Sequence, residues 1–338
     1  MRRPLVSLFV VLLVLAGGSF GFWMWAVARV EAAFDTWARQ AAAQGWTVRD
    51  AGRHRAGWPY AAELTLRDLT LAAGPDVVPG GVRWEAARAT LHLSPLAPDV
   101  LEVRLTGTQH VRVLGDRAAP FEPASFVLTL PLGRVGPVRL TARQLRFGAP
   151  VAAMRIGLLD GTGRLAENGV AIELSGEAIA LPPPPAPQPA LGRRIASVTI
   201  ALRLDGAWPP PSPDPAAQAR LWRKSGGLLR VRHFAMGWGP LGLTGTAALG
   251  LDPALQPQGT GAVRLVGYDA ALSALAAAGA LAPASAQAIR AVLALLARVP
   301  EGGGAPEVEL PLALQDGVLR AGSIPLGRMP RWGWSAAP

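Results

Sequence analysis

The chain has 338 residues, a formal net charge of +10 and no cysteine, so disulfides and thiolate metal sites are both excluded. Half of the residues are hydrophobic and 17% charged, while 39 glycines and 32 prolines point to many turns and short strands. The basic residues are arginine almost throughout, with Lys224 the single lysine; they are dispersed rather than gathered with aromatics on one helix, which argues against nucleic acid as a partner. Contact with anionic head groups is one reading of the charge, and a compositional bias toward Arg, Ala, Gly and Pro is the simpler one.

Two arginines, Arg2 and Arg3, precede an uncharged run from Pro4 to Ala28. At ~1.5 Å per residue such a helix exceeds the ~30 Å of hydrocarbon it must cross. Leu5, Phe9, Leu12, Leu13, Phe22, Trp23 and Trp25 are its anchoring side chains, the tryptophans being suited to the membrane interface. A secretory signal is the alternative, because Ala26-Val27-Ala28 fits a cleavage site, but the apolar region of a signal is usually only ~7–15 residues. The N-terminal arginines orient the span with the bulk of the chain outside the cytoplasm. These features predict a single-pass protein of the bacterial inner membrane, its mass in the periplasm and membrane lipid its immediate partner. Gly17 and Gly21 form a small-residue face on which two such helices can meet, although chance occurrence in an Ala- and Gly-rich span is the favoured reading.

Val30, Phe34, Trp37 and Ala41 continue a helical stripe, so residues 29–44 are expected to prolong the anchor as an amphipathic stalk that Gly45 ends. From Trp46 the period becomes two. Leu64 and Leu66, then Leu69 and Leu71, alternate with polar residues around a phase shift at Arg67-Asp68 that reads as a β-bulge. Short alternating segments recur at 91–93, 101–105, 111–113, 126–130, 138–147, 154–158 and 170–174, and again at 195–204, 228–234, 243–251 and 262–266. Proline-rich stretches at 182–190 and 209–215 read as stiff surface loops. Near the C-terminus the period returns to helical over 269–299, with Asp269 and Ser285 as expected N-caps, before a last β segment at 308–319. The fold class is therefore mainly β with a long N-terminal helix, an elongated curved antiparallel sheet and a helical pair near the C-terminus; residues 45–338 form the extracytoplasmic unit.

Motifs with chemical meaning do not survive their context. Gly17-Gly18-Ser19-Phe20-Gly21 matches a nucleophile elbow but sits inside the membrane span. Gly237-Trp238-Gly239-Pro240-Leu241-Gly242 matches a dinucleotide fingerprint, yet β-like sequence follows it where a helix must start. His54, His92, His110 and His233 lack metal-ligand spacing, and Glu63, Asp68, Glu85 and Glu102 fit a solvated strand face. No catalytic, metal or cofactor residue is assigned, and no cofactor is expected. Gly57-Trp58-Pro59-Tyr60 reads as a structural corner at the start of a strand, and Asp316-Gly317 as a hairpin turn.

The N-terminal anchor followed by Gly45-Trp46-Thr47-Val48 and Gly57-Trp58-Pro59-Tyr60, together with Leu310 to Arg320 and Ile324-Pro325-Leu326-Gly327, resembles the bacterial domain-of-unknown-function family numbered 2125 over almost the whole chain. That resemblance implies a membrane-anchored envelope protein without an assigned activity. It also hints at kinship with AsmA-like envelope proteins, whose β-rich grooves are associated with lipid transport. The expected function is thus a non-enzymatic envelope protein that shields lipid or another hydrophobic ligand. The alternatives are a scaffold acting through contacts with other envelope proteins, and a hydrolase with a site assembled from distant residues.

Overall fold

The computed structural model describes residues 2–333 apart from 75–76, 79–80, 114–118, 134, 150–151, 183–189, 208–213 and 301–302, and leaves out the side chains of residues 2–12, 113 and 215. The anchor side chains of Leu5, Phe9 and Leu12 and most of both proline-rich stretches therefore lie outside the described part. Helix α1 (Arg2–Ala43) is followed by strands β1 (Trp46–Arg49), β2 (Gly52–Ala56), β3 (Ala62–Ala73), β4 (Val82–Ser94), β5 (Ala97–Val113), β6 (Ala119–Glu122), β7 (Ser125–Pro131), β8 (Val138–Phe147), β9 (Met154–Ala166), β10 (Gly169–Ala180) and β11 (Arg194–Asp205). After helix α2 (Pro215–Lys224) come β12 (Leu228–Trp238), β13 (Leu241–Leu251) and β14 (Pro257–Val266). Helices α3 (Tyr268–Ala277) and α4 (Pro283–Leu296) then precede β15 (Glu307–Gln315), β16 (Val318–Ala321) and β17 (Ile324–Arg328).

Nearly every strand pairs antiparallel with its neighbour in sequence, giving one long meander. Short β6 and β7 share the place between β5 and β8, and β1 and β2 share the free side of β3. The turns follow local chemistry. Asp316 and Gly317 both adopt positive φ (51° and 70°), the pair of left-handed residues that a two-residue hairpin needs. Gly237 pairs with Gly242 across the β12–β13 hairpin, so a strand, and no phosphate-cradling helix, follows the glycine motif.

The phase shift at Arg67-Asp68 is no inserted residue. Arg67 faces Arg88 and Leu69 faces Ala86, one for one. Instead Asp68 itself turns left-handed (φ 48°), and Gln144 in β8 and Ala178 in β10 do the same (φ 48° and 52°). In these three strands the facing side flips at that residue, so that the apolar residues above and below it remain on one side.

Helix α1 is no free stalk. Trp23, Ala26, Val27, Val30 and Phe34 form its buried stripe: Val27 is fully enclosed, and Val30 and Phe34 join Leu64, Leu66, Leu69, Ala86, Ala89, Leu91 and Leu105 in the main core. The Trp23 indole N–H donates to the Ala56 carbonyl at 3.1 Å. On the flank, Arg53 pairs with Asp35 (2.8 Å) and Glu31 (3.4 Å), and Arg55 with Glu31 (2.6 Å). The Arg53 guanidinium, held by Asp50 and Asp35 against the opposing cost of burial, has its pKa raised further above its ordinary range. Within residues 23–28, read from sequence as the end of the membrane span, Trp23, Ala26 and Val27 pack on the sheet while Met24 and Trp25 stay exposed, because apolar side chains satisfy a lipid and a protein core equally well. The stretch free to enter a bilayer ends at Phe22; Pro4 to Phe22 still covers ~28 Å at ~1.5 Å per residue. Trp37 stays 46% exposed, so the expected stripe packs only in its first half.

The other helices also depart from the sequence reading. Helix α2 directly follows the loop expected at 209–215, in a stretch to which the sequence assigned no element: Asp214 caps it, accepting from the Ala216 amide at 2.8 Å, and Pro215 occupies its first turn. Its Ala219 packs on Leu251 and Leu255. Helix α3 starts at Tyr268 behind Gly267, and α4 starts behind Ala282 with Pro283 in its first turn, so neither Asp269 nor Ser285 caps. Asp269 instead pairs with Arg290, tying α3 to α4.

Candidate functional site

The register joins one residue per strand into rows that cross the sheet. One row reads Leu64, Leu91, Val103, Leu128, Leu140, Gly161, Leu174, Ile200, Phe234, Gly245, Val263 and Leu310, each facing the next from β3 to β15. Every member is apolar or glycine. The adjacent row, one residue along each strand and therefore on the opposite face, reads Thr65, Thr90, Arg104, Val127, Thr141, Asp160, Ser175, Thr199, Ala235, Thr244, Arg264 and Glu309. Successive residues of a strand point to opposite faces, so the sheet has one apolar and one mostly polar side.

Only parts of the apolar face are covered. Helix α1 lies over β1 and β3, and its core extends to β5; α3 and α4 lie by β13 and β15. Between them, over β7 to β12, no second layer is packed on the row among the described residues. Leu128, Leu140, Ile200 and Phe234 are half-buried there, Leu174 is 36% exposed and Ile172 37%. The accessible surface of the whole chain, the projecting N-terminal part of α1 and the C-terminal tail included, is 20918 Å². A compact monomer of 35.2 kDa is expected to expose only about 13,000 Å². A sheet buried on one face normally gains its stability from that burial, and here the apolar row stays without a covering layer over six strands among the described residues.

The polar face carries ion pairs and a recess. His92 Nδ1 lies 2.9 Å from Glu63, which also meets Arg104 (3.8 Å), and Arg104 binds Glu102 at 2.7 Å; the strand carboxylates noted in the sequence are thus partly paired. Asp205, between Arg203 and Arg230 (2.7 Å), has its carboxyl held below the usual carboxylate range, chiefly by the hydrogen bond from Arg203. It lines a recess of about 920 Å³ together with Asn168, Arg230, Arg232, Thr246 and Thr260. Among the described residues no three His, Asp or Glu gather as a metal site.

The residues singled out in the sequence take the following places. Ser19 and its glycines lie within α1, without the strand-turn-helix a nucleophile elbow needs. Gly17 and Gly21 face open space, with nothing within 4 Å of where a Cβ would stand. Leu13, Phe22 and Trp25 are 60%, 54% and 57% exposed, as lipid-facing groups are, whereas Trp23 is drawn onto the sheet. Gly57 (φ 98°) opens a tight corner in which its carbonyl accepts from the amides of both Tyr60 and Ala61 at 2.9 Å. The apolar row itself was invisible in the sequence as a row, since only pairing aligns its members; the alternation within each strand was its one signal.

The chain matches the model of a family described as uncharacterised protein conserved in bacteria (DUF2125) over residues 23–330. The chain belongs to that family, and the matched region starts at Trp23, the first residue of α1 that packs on the sheet. No curated protein matches the chain, nor does any solved structure, so no AsmA-like relationship comes from these comparisons.

Proposed function

For this member of the DUF2125 family, we propose a non-enzymatic role in the bacterial envelope: α1 holds the chain in the inner membrane, the sheet stands in the periplasm, and the bare apolar face of β7–β12 binds lipid acyl chains. The observation that carries this reading is the uninterrupted row from Leu64 to Leu310, uncovered from Leu128 to Phe234. Gly161 within it would meet Leu174 Cδ2 at 2.9 Å if it carried a Cβ, so the face stays smooth where bulk would break it. Acyl chains need no directional partner, only a continuous apolar track screened from water. The N-terminal helix, long and apolar enough to cross a membrane, puts that track beside a lipid source.

The test is native mass spectrometry and organic extraction of the full chain purified in a mild detergent. Phospholipid is expected to remain bound after extensive detergent washing and to be lost from a Leu174→Asp, Ile200→Asp variant. Repeated recovery of the unmodified chain free of lipid overturns the proposal.

Scaffolding remains the second reading because α4 turns an apolar side outward. Val292, Leu295 and Leu296 are 50%, 87% and 48% exposed near the end of the sheet where β14 finishes. An envelope protein that cross-links to α4 and dissociates on Leu295→Arg is the outcome that favours it.

A further inference from the structure

We infer that the hairpin tips beside α1, residues 57–61 between β2 and β3 and residues 95–96 between β4 and β5, seat in the surface layer of the same bilayer that α1 enters. The inference rests on α1 crossing a membrane and is independent of any lipid on the sheet face.

The two tips lie at the end of the sheet where α1 leaves it. Ala62 and Leu93, the residues that follow one tip and precede the other, pack directly on Ala26, Val27 and Trp23. From there the first tip reaches further along the helix: the Trp58 ring meets Phe20 edge-on at 6.2 Å. Phe20 is three residues before Trp23, so Trp58 stands ~4.5 Å deeper, inside the apolar run. Beyond this contact the tips present bare apolar groups, Tyr60 at 85% and Leu96 at 97% exposure. Soluble surfaces scatter such residues singly; here they cluster at the level where the membrane segment begins.

The chemistry around them matches the water-to-lipid boundary. Trp25 is 57% exposed, with the Arg29 guanidinium 5.3 Å from its ring centre. An amphipathic ring with a cation beside it is what head-group depth favours, the ring among glycerol backbones and the charge among phosphates. Between helix and tips lies an apolar recess of about 340 Å³, walled by Trp23, Pro59, Leu93, Pro95 and Pro98, with Arg29 the one charged residue lining it among the described residues. The next connection at this end, between β7 and β8, adds Val135 at 84% exposure. A bilayer accounts for all of these at once, since it is continuous with the surface already around Leu13 to Phe22. Seated so, the strands stand end-on to the membrane, and the apolar face opens at its surface.

The absence of cysteine makes a clean test available. Single substitutions Tyr60→Cys and Leu96→Cys in the full chain are spin-labelled and reconstituted into vesicles of phosphatidylethanolamine with a minor fraction of phosphatidylglycerol. Collision with dissolved oxygen and with a water-soluble nickel chelate is then read by electron paramagnetic resonance. Leu15→Cys, in the apolar run, and Ala149→Cys, at the opposite end of the sheet, set the lipid and water references. Labels at 60 and 96 are expected to be oxygen-rich and at least several-fold less accessible to nickel than the label at 149. Nickel access at 60 and 96 equal to that at 149, with position 15 in lipid, overturns the inference. Water exposure at 15 as well overturns the membrane-crossing reading on which it rests.

Discussion

If α1 is part of the core, truncating Phe34 must destabilise the β-sheet, whereas a free stalk predicts no effect on it. Phe34 is 8% exposed, packed among Leu64, Leu66, Leu69 and Leu105, and its ring lies 5.2 Å from the Arg53 guanidinium. Removing a buried Phe costs ~3–5 kcal/mol through lost transfer and the cavity left behind. The pocket sits under a single helix that can settle inward, so Phe34→Ala is expected at the lower end, ~3 kcal/mol. Trp37→Ala, three residues on and 46% exposed, serves as the comparator and is expected to cost ~1 kcal/mol or less. The assay is denaturant unfolding of the full chain in detergent, followed by the far-ultraviolet β signal, which reports on the sheet and not on the anchor. Equal midpoints for the two variants, or a Phe34→Ala loss under ~1 kcal/mol, refute the docked helix.

Three further outcomes are expected. Gly57→Ala places a Cβ 2.5 Å from the Ala61 carbonyl oxygen at a φ of 98° and should lower stability by ~2 kcal/mol or more. Gly133→Ala, also left-handed (φ 71°) but with open space around it, should cost only ~1 kcal/mol, the comparison being thermal unfolding of both. Leu174→Asp on the bare face should change stability by ~1 kcal/mol or less, whereas Leu64→Asp in the enclosed core should prevent folding, as read by expression and circular dichroism. The Asp205 carboxyl, held low by Arg203, ionises more readily in the folded than in the unfolded chain, where its pKa is ~3.9. Its contribution is therefore fully present above about pH 5 and is lost as pH falls through the lower folded value; Asp205→Asn should flatten that part of the acid limb of the stability profile.

The β-rich class, the hairpin at Asp316-Gly317 and the helical pair were legible because alternation, turn dipeptides and a return to helical period are local signals. Strand lengths were less so. In β9, Gly157, Gly161 and Gly163 stand where alternation would call for large apolar side chains, and the pattern fades there although the strand continues to Ala166. Helix α2 was hidden by its proline, although Asp214-Pro215 is a sound helix start and Ala216, Ala219 and Trp222 recur at helical spacing. The docking of α1 could not be separated from membrane insertion by hydropathy. Glu31 and Asp35, four apart beside Phe34, were the available sign that this stretch meets a basic partner, supplied by Arg53 and Arg55. The candidate site was the least legible part, because a row of twelve residues drawn from twelve strands exists only once the register does.

An open sheet with a bare apolar face must still avoid pairing with copies of itself, and its two edges are treated differently from its face. On one side β1 and β2 are short strands of four and five residues, β2 carries Arg53 and Arg55, and α1 lies across β1 and β3. On the other, β17 is five residues long, interrupted by Pro325 and ended by Arg328. Short length, proline and inserted charge are the devices that blunt strand edges against further pairing. General loss of packing would leave edges and face equally exposed. Blunted edges around an unblunted face instead separate two risks, removing backbone-directed association while retaining an uncovered apolar surface. That combination supports the proposed lipid ligand, which brings no strand of its own, over another copy of this chain or a β-pairing protein partner.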